Sequence, residues 1–496
     1  MATRLRVAAI PATAIVAVAA VVAAVLRLAT LAHDDLWIDE AYTLALTQRG
    51  FGGMVRLFAH EANGTLYQLA VYPFVAVSDS LEALRMPAAI AGIAAVPAVF
   101  WAGRALVGDR AAAGGAVLMA VSPMAIAHSQ DARPIIFVVL FAALSYGCLV
   151  RAVRDGATRM WALYVLATAA VFYSNLASGA WLLVAQAVHA LAVEPRARGR
   201  FARAVAALAV LLLPLGVLTV LERRTRDPLY WLGRPSLADL GEAVRTMAGG
   251  TAALAAVLAA LAVVAWRARD GGRGVRSLLH SAWATLAAWA LLPLVGLWTV
   301  SLAIPVFQPR YAIAGLPAFC LIAGAAAARL PRSAGLVVLA AVVALNVRVA
   351  LAEVGQGTVH WEAATHALAA ARAPADPVIV DPFSGLAVAG YYDRAFAAPE
   401  GDLVVSEWHD RPVPDRVVLL DDPAGYGDVP AGPPSAALVQ RLARRTGTVH
   451  LLLSETAGQG DVWESPGLRW ARSACDVTRQ AFDGVEVITM RGCPRT

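Results

Sequence analysis

Long apolar runs recur through the first 350 residues of this 496-residue chain, and most of them have no polar face. A helix at a water boundary needs such a face; a helix in lipid does not. Each run approaches the roughly 20 apolar residues that cross a bilayer. The pattern predicts spans at about 8–31, 87–107, 111–128, 134–150, 160–174, 176–193, 204–221, 248–266, 281–302, 311–328 and 334–352, about eleven in all. Residues 66–77 are apolar but too few to cross, and read as a helix lying along the interface. With 59% hydrophobic and 15% charged residues, the composition excludes a soluble fold for this part of the chain.

Charge supplies the orientation. The chain has no lysine, so every permanent cation is an arginine. Arg4 and Arg6 precede the first run; Arg104/Arg110, Arg151/Arg154/Arg159, Arg196/Arg198/Arg200/Arg203, Arg267/Arg269/Arg273/Arg276 and Arg329/Arg332 lie in alternate connections. With an odd number of spans these clusters fall on one side, which the positive-inside rule makes cytoplasmic. The N-terminus is then expected inside, and everything after about residue 353 exported, in a protein of the plasma (inner) membrane. The net charge of +6 thus reports topology and not nucleic-acid binding. The first apolar run exceeds the roughly 7–15 residues of a signal-peptide core, so it reads as an uncleaved span.

Asp39-Glu40 stands where the first run ends. Acids inside a bilayer cost about 2.5–3.5 kcal/mol each, so a carboxylate pair at its edge points to a site facing water and lipid together. The same topology places the loop 129–133 with Asp131 and Arg133, the connection 223–245 with Arg223, Arg224 and Arg226, and Arg310 on that outer face.

Beyond residue 352 the composition becomes that of a soluble α/β domain. Four short apolar segments, at 378–381, 417–420, 449–453 and 485–488, read as buried strands, with helices expected at 360–372, 384–392 and 435–445. Such alternation predicts a small, mostly parallel sheet, giving two domains, 1–352 and 353–496. No glycine-rich phosphate loop follows any strand, and no metal-type Cys/His spacing occurs. Cys475 and Cys493 both lie in the exported part, where a disulfide is compatible with the compartment; Cys148 and Cys320 fall inside spans.

Several motifs carry a resemblance. Leu36-Trp37-Ile38-Asp39-Glu40-Ala41-Tyr42-Thr43 resembles the W-x-D-E-A-x-T signature of bacterial family-39-like glycosyltransferases of the GT-C superfamily. Leu66-Tyr67, Leu84-Arg85-Met86-Pro87, Ser122-Pro123, Ser129-Gln130-Asp131-Ala132-Arg133-Pro134 and Gln308-Pro309-Arg310-Tyr311 follow in that family's order. His360-Trp361-Glu362-Ala363-Ala364 resembles the start of an exported domain in related sequences. Two departures stand out: Asn63-Gly64-Thr65 replaces the commoner His-Pro-Pro, and Ile135 an aromatic.

The resemblance implies a GT-C-like polytopic membrane fold with a catalytic external loop at 33–86. It implies transfer of a sugar from a polyprenyl-phosphate donor to a lipid, polysaccharide or protein acceptor, with mannosyl, arabinosyl, glucosyl, galactosyl and aminoarabinosyl donors all open. Asp39 matches the family's general base, implying inversion by single displacement. Glu40, ranked second, would orient the loop or raise the pKa of Asp39 by like-charge proximity. Asp131 matches the second acid, which would bind acceptor or help hold a divalent cation, Mg or Mn, near the phosphate. Arg310, Arg133, Arg223 and Arg224 are the candidates for the donor phosphate, since a guanidinium fork binds phosphate oxygens in pairs. Plainer alternatives are a solvated loop acid at Asp39, an Asp131–Arg133 ion pair and a snorkelling Arg310. Competing functions are a lipid-linked sugar flippase and a non-catalytic cell-envelope scaffold.

Overall fold

The computed structural model describes residues 10–59, 62–193, 197–225, 232–269, 282–354, 359–373, 376–381, 385–393, 417–419, 435–454 and 465–495. Arg4, Arg6, Arg196, Arg226, Arg273 and Arg276 lie outside them. The apolar windows all fold as helix. In chain order these are α1 (Ala12–Leu28), α2 (Ile38–Thr47), α3 (Gly50–Leu57), α4 (Thr65–Val75), α5 (Leu81–Val107), α6 (Asp109–Val121), α7 (Pro123–Ala127), α8 (Ile135–Asp155), α9 (Thr158–Ser174) and α10 (Leu176–Val188). They continue as α11 (Arg198–Leu211), α12 (Leu213–Thr225), α13 (Leu237–Ala248), α14 (Thr251–Arg269), α15 (Ala282–Leu291), α16 (Leu297–Ser301), α17 (Leu316–Arg329) and α18 (Arg332–Val354).

Among the described residues, five helices are long and apolar enough to cross a membrane, or up to seven if each bent pair is one span. The expected eleven windows are all helical, but several are interrupted and so fall short as single rods. Ser122-Pro123 ends α6 and caps α7, the Ser122 Oγ accepting the Ala125 N–H, and α11 and α12 meet at 49° inside the expected 204–221 window; Asn175 caps α10 at the expected boundary with α9. α4, the expected interfacial helix, starts at the left-handed Gly64 (φ +86°). There a side chain would press on Pro134.

α1, α5, α6, α8 and α17 build the centre of the bundle. α6 and α17 touch backbone to backbone: a methyl group at Gly324 would overlap the Gly115 nitrogen and the Ala111 carbonyl. Lipid offers no hydrophobic drive between helices, so such small-residue seams supply the packing. α8 runs 21 residues from the 129–133 loop, about 30 Å at about 1.5 Å per residue. It therefore separates two ends of the bundle, one carrying Asp39 and the other Arg151 and Arg154.

The C-terminal region holds α19 (Trp361–Ala371), β1 (Val378–Asp381), α20 (Gly385–Tyr392), β2 (Val417–Leu419), α21 (Ala436–Thr446), β3 (Val449–Ser454), α22 (Pro466–Ala474), β4 (Asp476–Phe482) and β5 (Val485–Arg491). The four expected strands are present, but the sheet is mixed and not mostly parallel. Its order is β2-β1-β3-β5-β4, with β1 parallel to β2 and β3, and β5 antiparallel to β3 and β4. The unforeseen β4 is an exposed edge strand of polar sequence, joined to β5 through Asp483-Gly484 with Gly484 at φ +71°, a hairpin turn of the favoured kind. The Cys475–Cys493 disulfide is formed and closes this hairpin.

Gly324→Val should lower thermal stability of the detergent-solubilised protein by about 1–3 kcal/mol, the cost of forcing extra atoms into a filled seam; unchanged melting would mean α6 and α17 are not in backbone contact.

Candidate active site

The site begins with a buried ion pair. Arg85, one turn into α5, uses its whole guanidinium: Nε and one terminal nitrogen donate to the two Glu40 oxygens at 2.7 Å each. The remaining N–H groups donate to the carbonyls of Leu31 (3.0 Å), Asp34 (2.9 Å) and Asp35 (2.9 Å). Glu40 also accepts the N–H groups of Ala132 at 2.8 Å and Trp37 at 3.1 Å. Its side chain is 2% exposed and that of Arg85 3%. Burial pushes the Glu40 carboxyl up, while Arg85 and the Ala132 N–H favour its charged form. With both oxygens filled, Glu40 is placed to hold the loop and not to exchange a proton with substrate. It stitches three segments: the chain before α2, the start of α5 and the 129–133 loop.

Asp39, in the first turn of α2 next door, faces the other way. Its Oδ2 lies 3.4 Å from Arg310 and 3.7 Å from Arg133, and its side chain is 32% exposed. Burial raises the Asp39 carboxyl, but the guanidiniums of Arg133 and Arg310 outweigh it and hold the carboxyl below its usual value. The expected upward shift caused by Glu40 is not found, because the neighbouring acid is neutralised by Arg85 and the two arginines dominate. α2 also presents its N-terminus to this carboxylate, which adds a favourable dipole.

The 129–133 loop is fixed from behind. Thr43 Oγ1 donates to the Ala132 carbonyl, and Gln130 donates to Thr30 Oγ1 at 2.7 Å. Fully buried Arg27 donates to Ser129 Oγ (3.0 Å) and to the Ala120 carbonyl (2.9 Å), which the end of α6 leaves without a helical partner. Gly92 makes this crossing feasible, since a methyl group there would overlap Ser129 Oγ. Asp131, in the same loop, has one carboxylate oxygen buried without a partner; the other is 3.8 Å from His128.

Sequence-predicted residues thus separate. Asp39, Arg133 and Arg310 form one cluster, with Asp131 two residues from Arg133. Arg223 and Arg224 are exposed at the end of α12, and neighbouring Glu222 accepts the Ala62 N–H. No group of three or more His, Cys, Asp or Glu able to hold a metal occurs among the described residues. Asp131 and His128 alone do not make a divalent-cation site, and Asp39 is already engaged by two cations. Arg85 stands in the Leu84-Arg85-Met86-Pro87 motif, which carries no role for it, and Arg27 is a lone arginine in the first apolar run.

A further layer comes from the C-terminal region. Tyr392 Oη accepts the Leu36 N–H at 2.7 Å, Asp35 accepts the Glu362 N–H at 2.8 Å, and Tyr391 donates to the Asp79 carbonyl. α19 and α20 therefore clamp the segment leading to Asp39.

The apolar helices are those of a multi-pass membrane protein, and the fold is one shared with solved membrane glycosyltransferases of the GT-C type. Residues 67–221 match the family model for dolichyl-phosphate-mannose-protein mannosyltransferases, a stretch that includes Arg85, Asp131 and Arg133. Among solved structures, ArnT from Cupriavidus metallidurans in the apo state superposes with a TM-score of 0.61 at 14% identity, covering 96% of this chain and 98% of that one. Its structure bound to undecaprenyl phosphate gives 0.59 at 14% identity, covering 96% and 97%. The oligosaccharyltransferase AglB from Archaeoglobus fulgidus, in complex with an inhibitory peptide and a dolichol-phosphate, gives 0.58 at 11% identity, covering 96% and 74%. The family and these neighbours are glycosyltransferases. No match is found among curated proteins.

Glu40→Gln and Arg85→Met should each cost about 3–5 kcal/mol, because either leaves a buried charge without its partner. The double variant should recover part of that loss in a thermal-unfolding cycle; strictly additive losses would show that the two side chains do not act as a pair.

Proposed function

We propose that the protein transfers a sugar from a polyprenyl-phosphate donor to an acceptor hydroxyl at the outer face of the membrane. The observation that carries this reading is the partly open Asp39 carboxylate held between Arg133 and Arg310. A polyprenyl tail needs a lipid-facing path, and its phosphate needs cations at the interface. Arg133 and Arg310 supply two planar guanidiniums suited to phosphate oxygens. Arg223 and Arg224, exposed at the end of α12, are further candidates for the donor phosphate.

In the proposed step the acceptor oxygen attacks the anomeric carbon as its proton passes to Asp39. The bond from that carbon to the phosphate oxygen breaks, and polyprenyl phosphate leaves with the electron pair, inverting the configuration. A carboxylate so placed is worth roughly 10²–10⁴-fold. Asp131, a quarter exposed, would take a hydrogen bond from the acceptor. Two arginines make Asp39 a weak base in the free protein. A donor phosphate arriving between them shares their charge and restores basicity to Asp39 when substrate is in place. The arginine-rich end of the bundle is then cytoplasmic, and the mixed sheet lies outside with the site.

The test is sugar release from labelled polyprenyl-phosphate sugars by membranes carrying the protein. Asp39→Asn should lose about 10²–10⁴-fold in turnover with donor binding retained; undiminished turnover would remove Asp39 as the base. A second outcome concerns pH. Because Asp39 is held down in the folded protein, it stays charged below its ordinary pKa of about 3.9. Its contribution to stability is present above that value and is lost as pH falls through the lowered one. The acid limb of kcat/KM should therefore lie below about 3.9, and Arg310→Gln should move it upward.

A further inference from the structure

At the opposite end of the bundle from Asp39, α9 and α11 leave a groove of about 700 Å³. It lies within the size range of small-ligand sites. One wall is a stripe of α11: Arg200, Arg203, Ala204 and Ala207, spaced so that all four share a face. The facing wall is a stripe of α9 that includes Trp161 and Val165. Both helices begin at this end, so charge and helix N-termini gather at the mouth while the walls become apolar deeper in the bundle.

Three further observations point to an occupant. Arg200 and Arg203 stand three residues apart, a spacing that makes like charges repel, and among the described residues neither is paired with a carboxylate. The nearest acid in sequence to the groove wall, Asp155, is paired with Arg154. Trp161 and Thr158 line the same groove from α9, an amphipathic ring and a hydroxyl of the kind found at headgroup level. Finally Gly156, at φ +69°, leaves the space that Arg200 fills; a side chain there would run into its guanidinium.

We infer that this groove binds the headgroup and upper acyl chain of an anionic membrane phospholipid. Its phosphodiester would lie between Arg200 and Arg203, both exposed at the groove. The apolar walls take the chain. Basic pockets between helices at the cytoplasmic side suit such lipids, and α8 separates this site from Asp39 by about 30 Å, so it is not the donor position. The inference depends on helix packing and not on the transfer reaction.

The test uses the full chain, purified and delipidated, titrated in native mass spectrometry with phosphatidylglycerol, with phosphatidylcholine of matched acyl chains, and with inorganic phosphate. One phosphatidylglycerol should bind in clear preference to phosphatidylcholine. The double variant Arg200→Gln/Arg203→Gln should weaken it on the order of 30-fold, at about fivefold for each charge. Ala207→Trp, which keeps both arginines but fills the apolar end, should also abolish the preference, and it carries the test if the double variant fails to fold. Equal binding of the two lipids, phosphatidylglycerol binding unmoved by these variants, or full competition by inorganic phosphate would each overturn the assignment.

Discussion

The Arg85 guanidinium is the point through which the site is held together. Five N–H donors sit in one rigid plane, and all five are used: two on Glu40 and three on carbonyls of the chain just before α2. Those carbonyls belong to irregular backbone at the membrane edge, where water cannot be relied on to satisfy them. A lysine could offer only three donors from a single point. The arrangement converts a loop that would otherwise sample many conformations into a fixed support, and Asp39 inherits its position from it.

Two adjacent acids thus take opposite parts because of where each side chain points along α2. Glu40 turns inward, loses water, and is stabilised by four N–H donors. Asp39 turns outward, keeps about a third of its surface, and shares its charge with Arg133 and Arg310. The difference lies in solvent access and partner geometry, not in residue type. The same logic explains why Arg27 sits buried in α1 without a carboxylate: the broken end of α6 offers it carbonyl oxygens.

The sequence made the helices legible because a run without a polar face has few destinations other than lipid. It also carried the cluster of Asp39, Arg133 and Arg310, since their motifs arrive in a recognisable order. What it concealed has specific causes. The break at Ser122-Pro123 and the 49° bend between α11 and α12 cut apolar windows that hydropathy alone reads as whole. β4 is polar along its length, as an exposed edge strand can be, and so gave no apolar signal; the Asp-Gly turn before β5 was the readable clue. Tyr391 and Tyr392 could not be assigned from sequence, since their partners lie more than 300 residues away.

That last separation has a consequence for how the protein comes into being. The Leu36 N–H waits for an oxygen 356 residues further along, which a ribosome working at about 5–20 residues per second delivers some 20–70 s later. For that interval the segment ahead of Asp39 is already made but lacks its last support. The clamp closes only once Tyr392 has been made, so a product truncated between Arg310 and Glu362 would carry every residue of the carboxylate–arginine cluster and still lack the brace that steadies it.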